Sequence, residues 1–66
     1  MRRLRLREIR EARLLSQEAL AWKARVGRVT ISRLEQERQE PAFSTVHKLA
    51  RALDVRPEDL VVRDEW

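Results

Sequence analysis

Residues 16–35 read Ser16-Gln17-Glu18-Ala19-Leu20-Ala21-Trp22-Lys23-Ala24-Arg25-Val26-Gly27-Arg28-Val29-Thr30-Ile31-Ser32-Arg33-Leu34-Glu35, and this stretch carries two short helical patterns separated by a turn. Ser16 opens the first, because its hydroxyl can accept the free N–H groups of a helix's first turn. Leu15 and Leu20 flank that start as a hydrophobic staple, whereas Ala19 stands where a full capping box needs Glu or Gln. From Gln17 to about Ala24 the pattern turns Leu20, Ala21 and Ala24 inward and Trp22 outward. Arg25-Val26-Gly27 makes a tight turn around the only glycine, and a following helix over 28–36 buries Ile31 and Leu34 as an i, i+3 pair. Arg28, Val29, Ser32 and Arg33 then face away from the core.

Outward from this centre the same periodicity predicts three more helices. One spans about Leu4 to Leu14, with Leu6, Ile9 and Arg13 or Leu14 at helical spacing. The polar run Glu37-Arg38-Gln39-Glu40 stops at Pro41 and reads as a loop. A helix beyond it carries Phe43, Val46, Leu49, Ala50 and Leu53 on one stripe, ends at Asp54, and leaves His47 on its exposed side. Pro57 at a first helical position, with Glu58 and Asp59 favouring the helix dipole, opens a last short helix that buries Leu60 and Val61. The fold class expected is all-α, a compact bundle of five short helices in one domain over residues 4–62, with residues 63–66 as a tail.

Composition limits the chemistry. Sixty-six residues are close to the lower limit for a core without staples, and with no cysteine the fold rests on packing alone. A single histidine assembles no metal site by itself, and Glu8, Glu11, Glu18 and the tail carboxylates have no nucleophile or metal partner in the pattern. Neither catalytic residues nor cofactor-binding or metal-binding residues are expected, and no enzyme. The amino-terminal residues lack the apolar run of a signal peptide, so a cytoplasmic protein without membrane partners is expected. The formal net charge of +4 is unevenly spread: residues 1–33 hold ten basic side chains against three acidic ones, residues 34–66 five against eight. One half of the chain would attract and orient a polyanion. Thirteen arginines to two lysines suit bidentate phosphate and guanine contacts, or else reflect a GC-rich or thermophilic genome.

The Ser16–Glu35 stretch resembles the lambda-repressor/Cro-type (XRE-like) helix-turn-helix family in Ser16-Gln17-Glu18, Leu20-Ala21, Val26, Arg28 and Thr30-Ile31-Ser32-Arg33. The likeness extends upstream through Leu6-Arg7-Glu8-Ile9-Arg10 and downstream from Pro41 to Leu60. It implies a helix-turn-helix motif over residues 17–36, with a recognition helix over 28–36 lying in the DNA major groove. Two positions depart from the pattern: Arg25 stands where the family has a left-handed glycine, and Gly27 where it has a Ser or Thr cap.

The resemblance further implies base contacts from Arg28, Val29, Thr30, Ser32 and Arg33, where arginine forks match guanine and Val29 or the Thr30 methyl meets thymine. The alternative for both arginines is phosphate contact alone. Gln17 is similar to the family's phosphate clamp, or else is a solvated first-turn residue, and Arg38 is a further phosphate candidate. Arg10 and Glu35 stand where family members join the first helix to the end of the third by an ion pair. Glu18 and Trp22 share a face that in some relatives touches RNA polymerase, and with Trp66 they form a candidate protein-contact surface. The function expected is a sequence-specific transcriptional regulator, a repressor acting by operator occupancy, with double-stranded DNA bearing a palindromic site and a second copy of itself as partners. The competing reading is the antitoxin of a toxin–antitoxin pair, which binds its own operator and also a toxin protein.

Overall fold

Among residues 3–62, four residues other than glycine adopt a left-handed backbone, Leu14, Arg25, Glu37 and Asp54, with φ of 59°, 59°, 58° and 58°. Each of them ends a helix. The computed structural model describes residues 3–62, and its helices are α1 (Leu6–Ala12), α2 (Gln17–Ala24), α3 (Arg28–Glu35), α4 (Phe43–Leu53) and α5 (Pro57–Leu60). The first four close alike, with the N–H of the residue after the left-handed one reaching back five positions to a helical carbonyl. Leu15 donates to Arg10 at 3.1 Å, Val26 to Ala21 at 3.1 Å, Arg38 to Arg33 at 2.9 Å and Val55 to Ala50 at 3.0 Å. This is Schellman closure, which glycine ordinarily serves. A side chain at the left-handed position costs on the order of 1 kcal/mol. Part of that is offset by Leu15, Val26 and Val55, which pack partly buried against the core as the hydrophobic contact accompanying the motif.

Helix starts follow local chemistry. The Ser16 hydroxyl accepts the Ala19 N–H at 3.0 Å and caps α2. At α3 the cap is Gly27, with φ −68° and ψ 142° and no side chain to accept a hydrogen bond. Pro57 begins α5, where the Asp59 carboxylate accepts the Arg56 N–H at 3.2 Å.

The core lies where α2 meets α3 and α4, with α5 packed on α4 and α1 on α3. Leu6, Leu20, Ile31, Leu49, Leu53 and Leu60 are completely buried, and Ala21, Ala24, Ala50 and Ala52 allow the helices to approach. The stripe on α4 is wider than the periodicity predicts, because Ala52 is buried beside Leu53. It also starts later. Phe43 is 71% exposed rather than in the core, and its ring stacks on His47 at a centroid distance of 4.8 Å. Phe43 is the first residue of α4, and Pro41 is buried just ahead of it.

The two chain ends also depart from the expected all-helical pattern. Leu4 does not begin α1 but lies in a two-residue strand β1 (Arg3–Leu4), paired antiparallel with β2 (Val61–Val62), with Leu4 opposite Val61. The Arg5 N–H continues the contact to the Leu60 carbonyl at 2.8 Å. Val61 therefore leaves α5, as suits a β-branched residue after a four-residue helix. Residues 63–66, including Trp66, lie outside the described residues. Among the described residues, no helix is long and apolar enough to cross a membrane.

Candidate nucleic-acid interface

Helix α3 can present an outer face because two of its residues are committed inward: Ile31 is fully buried and Leu34 is 3% exposed. At roughly 100° per residue, Val29, Ser32 and Arg33 then fall on the side away from both, and Arg28, in the first turn, lies on the flank of that face. Arg28 and Arg33 are exposed, as is Val29 at 58%. Neither arginine forms a hydrogen bond or ion pair with another described residue, so both guanidinium groups retain all their donors. Ser32 is half-buried, and its hydroxyl accepts the Gln36 side-chain amide at 3.0 Å. Gln36, one turn beyond Ser32, thus joins the residues expected on this face, and its i, i+4 spacing from Ser32 is the signal in the sequence that points to it. Thr30 sits at the edge of the core, half-buried, with its hydroxyl turned toward Gly27. Thr30 and Ser32 are thus less open than the exposed Arg28, Val29 and Arg33.

Behind this face, one carboxylate ties together three elements. The Glu35 side chain, at the end of α3, is out of contact with solvent. Arg10 of α1 donates to it twice, from Nε to Oε2 at 2.6 Å and from Nη2 to Oε1 at 3.1 Å. A third donor of Arg10, Nη1, reaches the Leu15 carbonyl at 2.7 Å, so the arginine also fixes the turn before α2. Gln17 Nε2 adds 3.0 Å and the exposed Arg7 Nε 3.4 Å to the same Oε1. Burial acts to raise the Glu35 pKa, but the hydrogen bonds from Arg10, Gln17 and Arg7 and the Arg10 charge outweigh it and hold the carboxyl below its ordinary value. The Glu35 hydrogen bond raises the Arg10 pKa against its own desolvation. Both groups are charged at neutral pH.

This network orients Gln17. One amide proton goes to Glu35, leaving the second proton and the carbonyl for another partner. Gln17 and Arg28 line one open groove together with Arg10, Ser16 and Glu18. The structure therefore brings the amino end of α2 beside the start of α3. Arg38, in the turn after α3, is exposed and apart from that groove. Trp22 is 85% exposed on α2, and Glu18 is exposed one turn before it.

A short capped helix tied to a second helix with an open arginine face is the architecture of a helix-turn-helix DNA-binding domain. Residues 6–60 match the helix-turn-helix family, and the chain belongs to its lambda-repressor-like (XRE) branch. Two uncharacterized HTH-type transcriptional regulators of Archaeoglobus fulgidus are 40% and 35% identical over 63 residues, covering 96% of this chain and 90% and 89% of theirs. Among solved structures, the restriction-modification controller protein C.AhdI from Aeromonas hydrophila is similar with a TM-score of 0.81 and 38% identity, over 83% of each chain. The DNA-binding domain of the P22 C2 repressor is similar with a TM-score of 0.77 and 31% identity, over 82% of this chain and 71% of that one. This chain is accordingly a helix-turn-helix transcriptional regulator of a type that binds double-stranded DNA.

Proposed function

We propose that this regulator reads one particular duplex sequence with α3 in the major groove, and that it acts as a repressor by occupying its operator. The observation that carries this reading is the pair of unpartnered guanidinium groups, Arg28 and Arg33, exposed on α3 and clear of the buried Ile31 and Leu34. A guanidinium fork matches the two acceptors on the guanine edge, and Val29 between the two arginines offers an apolar contact for a thymine methyl. Ser32 adds a hydroxyl donor. Gln17, oriented by Glu35, and Arg38 meet phosphates on either side, fixing register without reading sequence. Two copies on a palindromic site would double this footprint.

The test is selection of bound duplexes from random oligonucleotides, followed by affinity measurement across a salt series. A defined consensus should emerge, and four to six neutralised phosphates per subunit give a log–log slope of roughly −4 to −5. No enrichment, or a slope near zero, would overturn the reading.

A second reading has one observation in its favour. Trp22 is an 85% exposed aromatic on the face it shares with the exposed Glu18, an apolar and acidic pair that a protein partner would cover. RNA polymerase or a toxin is the class of partner this surface would serve, and Trp22→Ala would then spare DNA affinity while abolishing that association.

A further inference from the structure

At the carboxyl end of α2 lies a second groove, of about 580 Å³, lined by Lys23, Ala24, Arg25, His47, Lys48, Arg51 and Ala52. Its composition is one-sided: four cations line it and no carboxylate does. Lys23 and Arg25 stand on one wall and Lys48 and Arg51 on the other, above a floor of the small residues Ala24 and Ala52. None of the four cations forms an ion pair or hydrogen bond through its side chain with another described residue. Asp54 lines an adjoining depression that also includes Lys23. Arg10 and Arg7 on Glu35 and Arg56 beside Glu58 have the carboxylate partners that these four cations lack. Four cations around one groove repel one another, and their field favours a polyanion.

We infer that this groove is a second phosphodiester-backbone site, which takes the duplex flanking the segment under α3. The inference rests on the DNA-reading role proposed for α3, and its position supplies the argument. Arg25 precedes Arg28 by three residues, so the groove adjoins the start of α3. Gln17 and Arg25 bracket α2, whose eight residues rise about 12 Å, close to the width of the B-DNA major groove. A helix lying across that groove with Gln17 on one backbone brings its other end to the opposite edge. Lys23 and Arg25 then meet the far strand where it leaves the segment under α3, and Lys48 and Arg51 extend the contact along it into the flanking duplex. Small residues on the floor let a backbone approach closely, as a bulky wall would not.

The experiment compares the wild type with Lys48→Gln/Arg51→Gln and with Lys23→Gln, all at exposed positions. The probes are the selected site at its minimal length and the same site with about ten arbitrary base pairs added at each end. For two phosphates engaged by Lys48 and Arg51, the double variant should lose about 1.8 from the salt slope on the long duplex, a change of about twelve-fold in relative affinity between 50 and 200 mM salt. On the short duplex it should bind like the wild type. Lys23→Gln should show about half the slope loss from the other wall, which guards against a folding defect specific to α4. Equal behaviour of variants and wild type on the long duplex overturns the proposal and leaves the α3 reading intact. An equal loss on both duplexes also overturns it, since the groove would then touch DNA already under α3. Failure of the wild type to bind either duplex overturns both.

Discussion

Replacing Glu35 by Leu removes the acceptor for two Arg10 donors, one Gln17 donor and the weaker Arg7 contact in a single step. Arg10 is only 8% exposed, so the change leaves a buried guanidinium with the Leu15 carbonyl as its remaining partner. Breaking one side of a buried pair costs about 3–5 kcal/mol, a large share of the roughly 3–10 kcal/mol that stabilises a chain of this length. Arg7 is 60% exposed, and its share of the loss is small. Urea denaturation followed by circular dichroism gives the stability directly, and a fall in melting temperature of about 12 °C or more should accompany it. The double variant Arg10→Leu/Glu35→Leu removes both charges together and should recover at least about 1 kcal/mol relative to the sum of the two single losses. If the two single losses simply add, the pair is not coupled, and its role in joining α1 to α3 is refuted.

Four further outcomes follow from the same geometry. Because the folded Glu35 pKa is lowered, its stabilisation is complete above the unfolded glutamate value of about 4.3 and is lost as pH falls through the lower folded value. Glu35→Gln should therefore flatten the acid limb of a stability–pH curve, and an unchanged limb would count against it. Leu14→Gly removes a left-handed side chain that is 92% exposed and should raise stability by up to about 1 kcal/mol in thermal denaturation, whereas a loss would mean that Leu14 packs. Gly27→Ser places a cap where φ is −68° and the nearest atom, Thr30 Oγ1, leaves ordinary contact distance at 3.6 Å. It should stabilise α3 by a few tenths of a kcal/mol. Arg38→Ala should weaken operator and random DNA alike and reduce the salt slope by about one, and a selective loss on the operator would reassign it to base reading.

The two helices of the motif were legible because their signals are local and strong. Ser16 announces a cap, Leu20, Ile31 and Leu34 keep helical spacing, and the boundaries of α2 agree with the expected ones. The left-handed turn at Arg25 was readable from the position of the residue in the family pattern, although arginine itself gives no such signal. The chain ends were less legible, since Leu4 fits a helical register as well as a strand. Only its pairing with Val61, 57 positions away, decides between them. Phe43 was misplaced because periodicity cannot say where along a helix the core stops. The groove formed by Lys23, Arg25, Lys48 and Arg51 was invisible for the same reason: its two walls lie on α2 and α4, and no short window of sequence contains both.

Truncation of Arg28 tests the central claim most directly, because its side chain is exposed and Ile31 and Leu34 keep their packing without it. Affinities of the wild type and Arg28→Ala are measured on the selected operator and on a random duplex of equal length, at one salt concentration. Reading by α3 predicts a loss of about 1–3 kcal/mol on the operator and much less on random DNA, so that the specificity ratio falls. An equal loss on both duplexes would make Arg28 a phosphate contact and contradict the account.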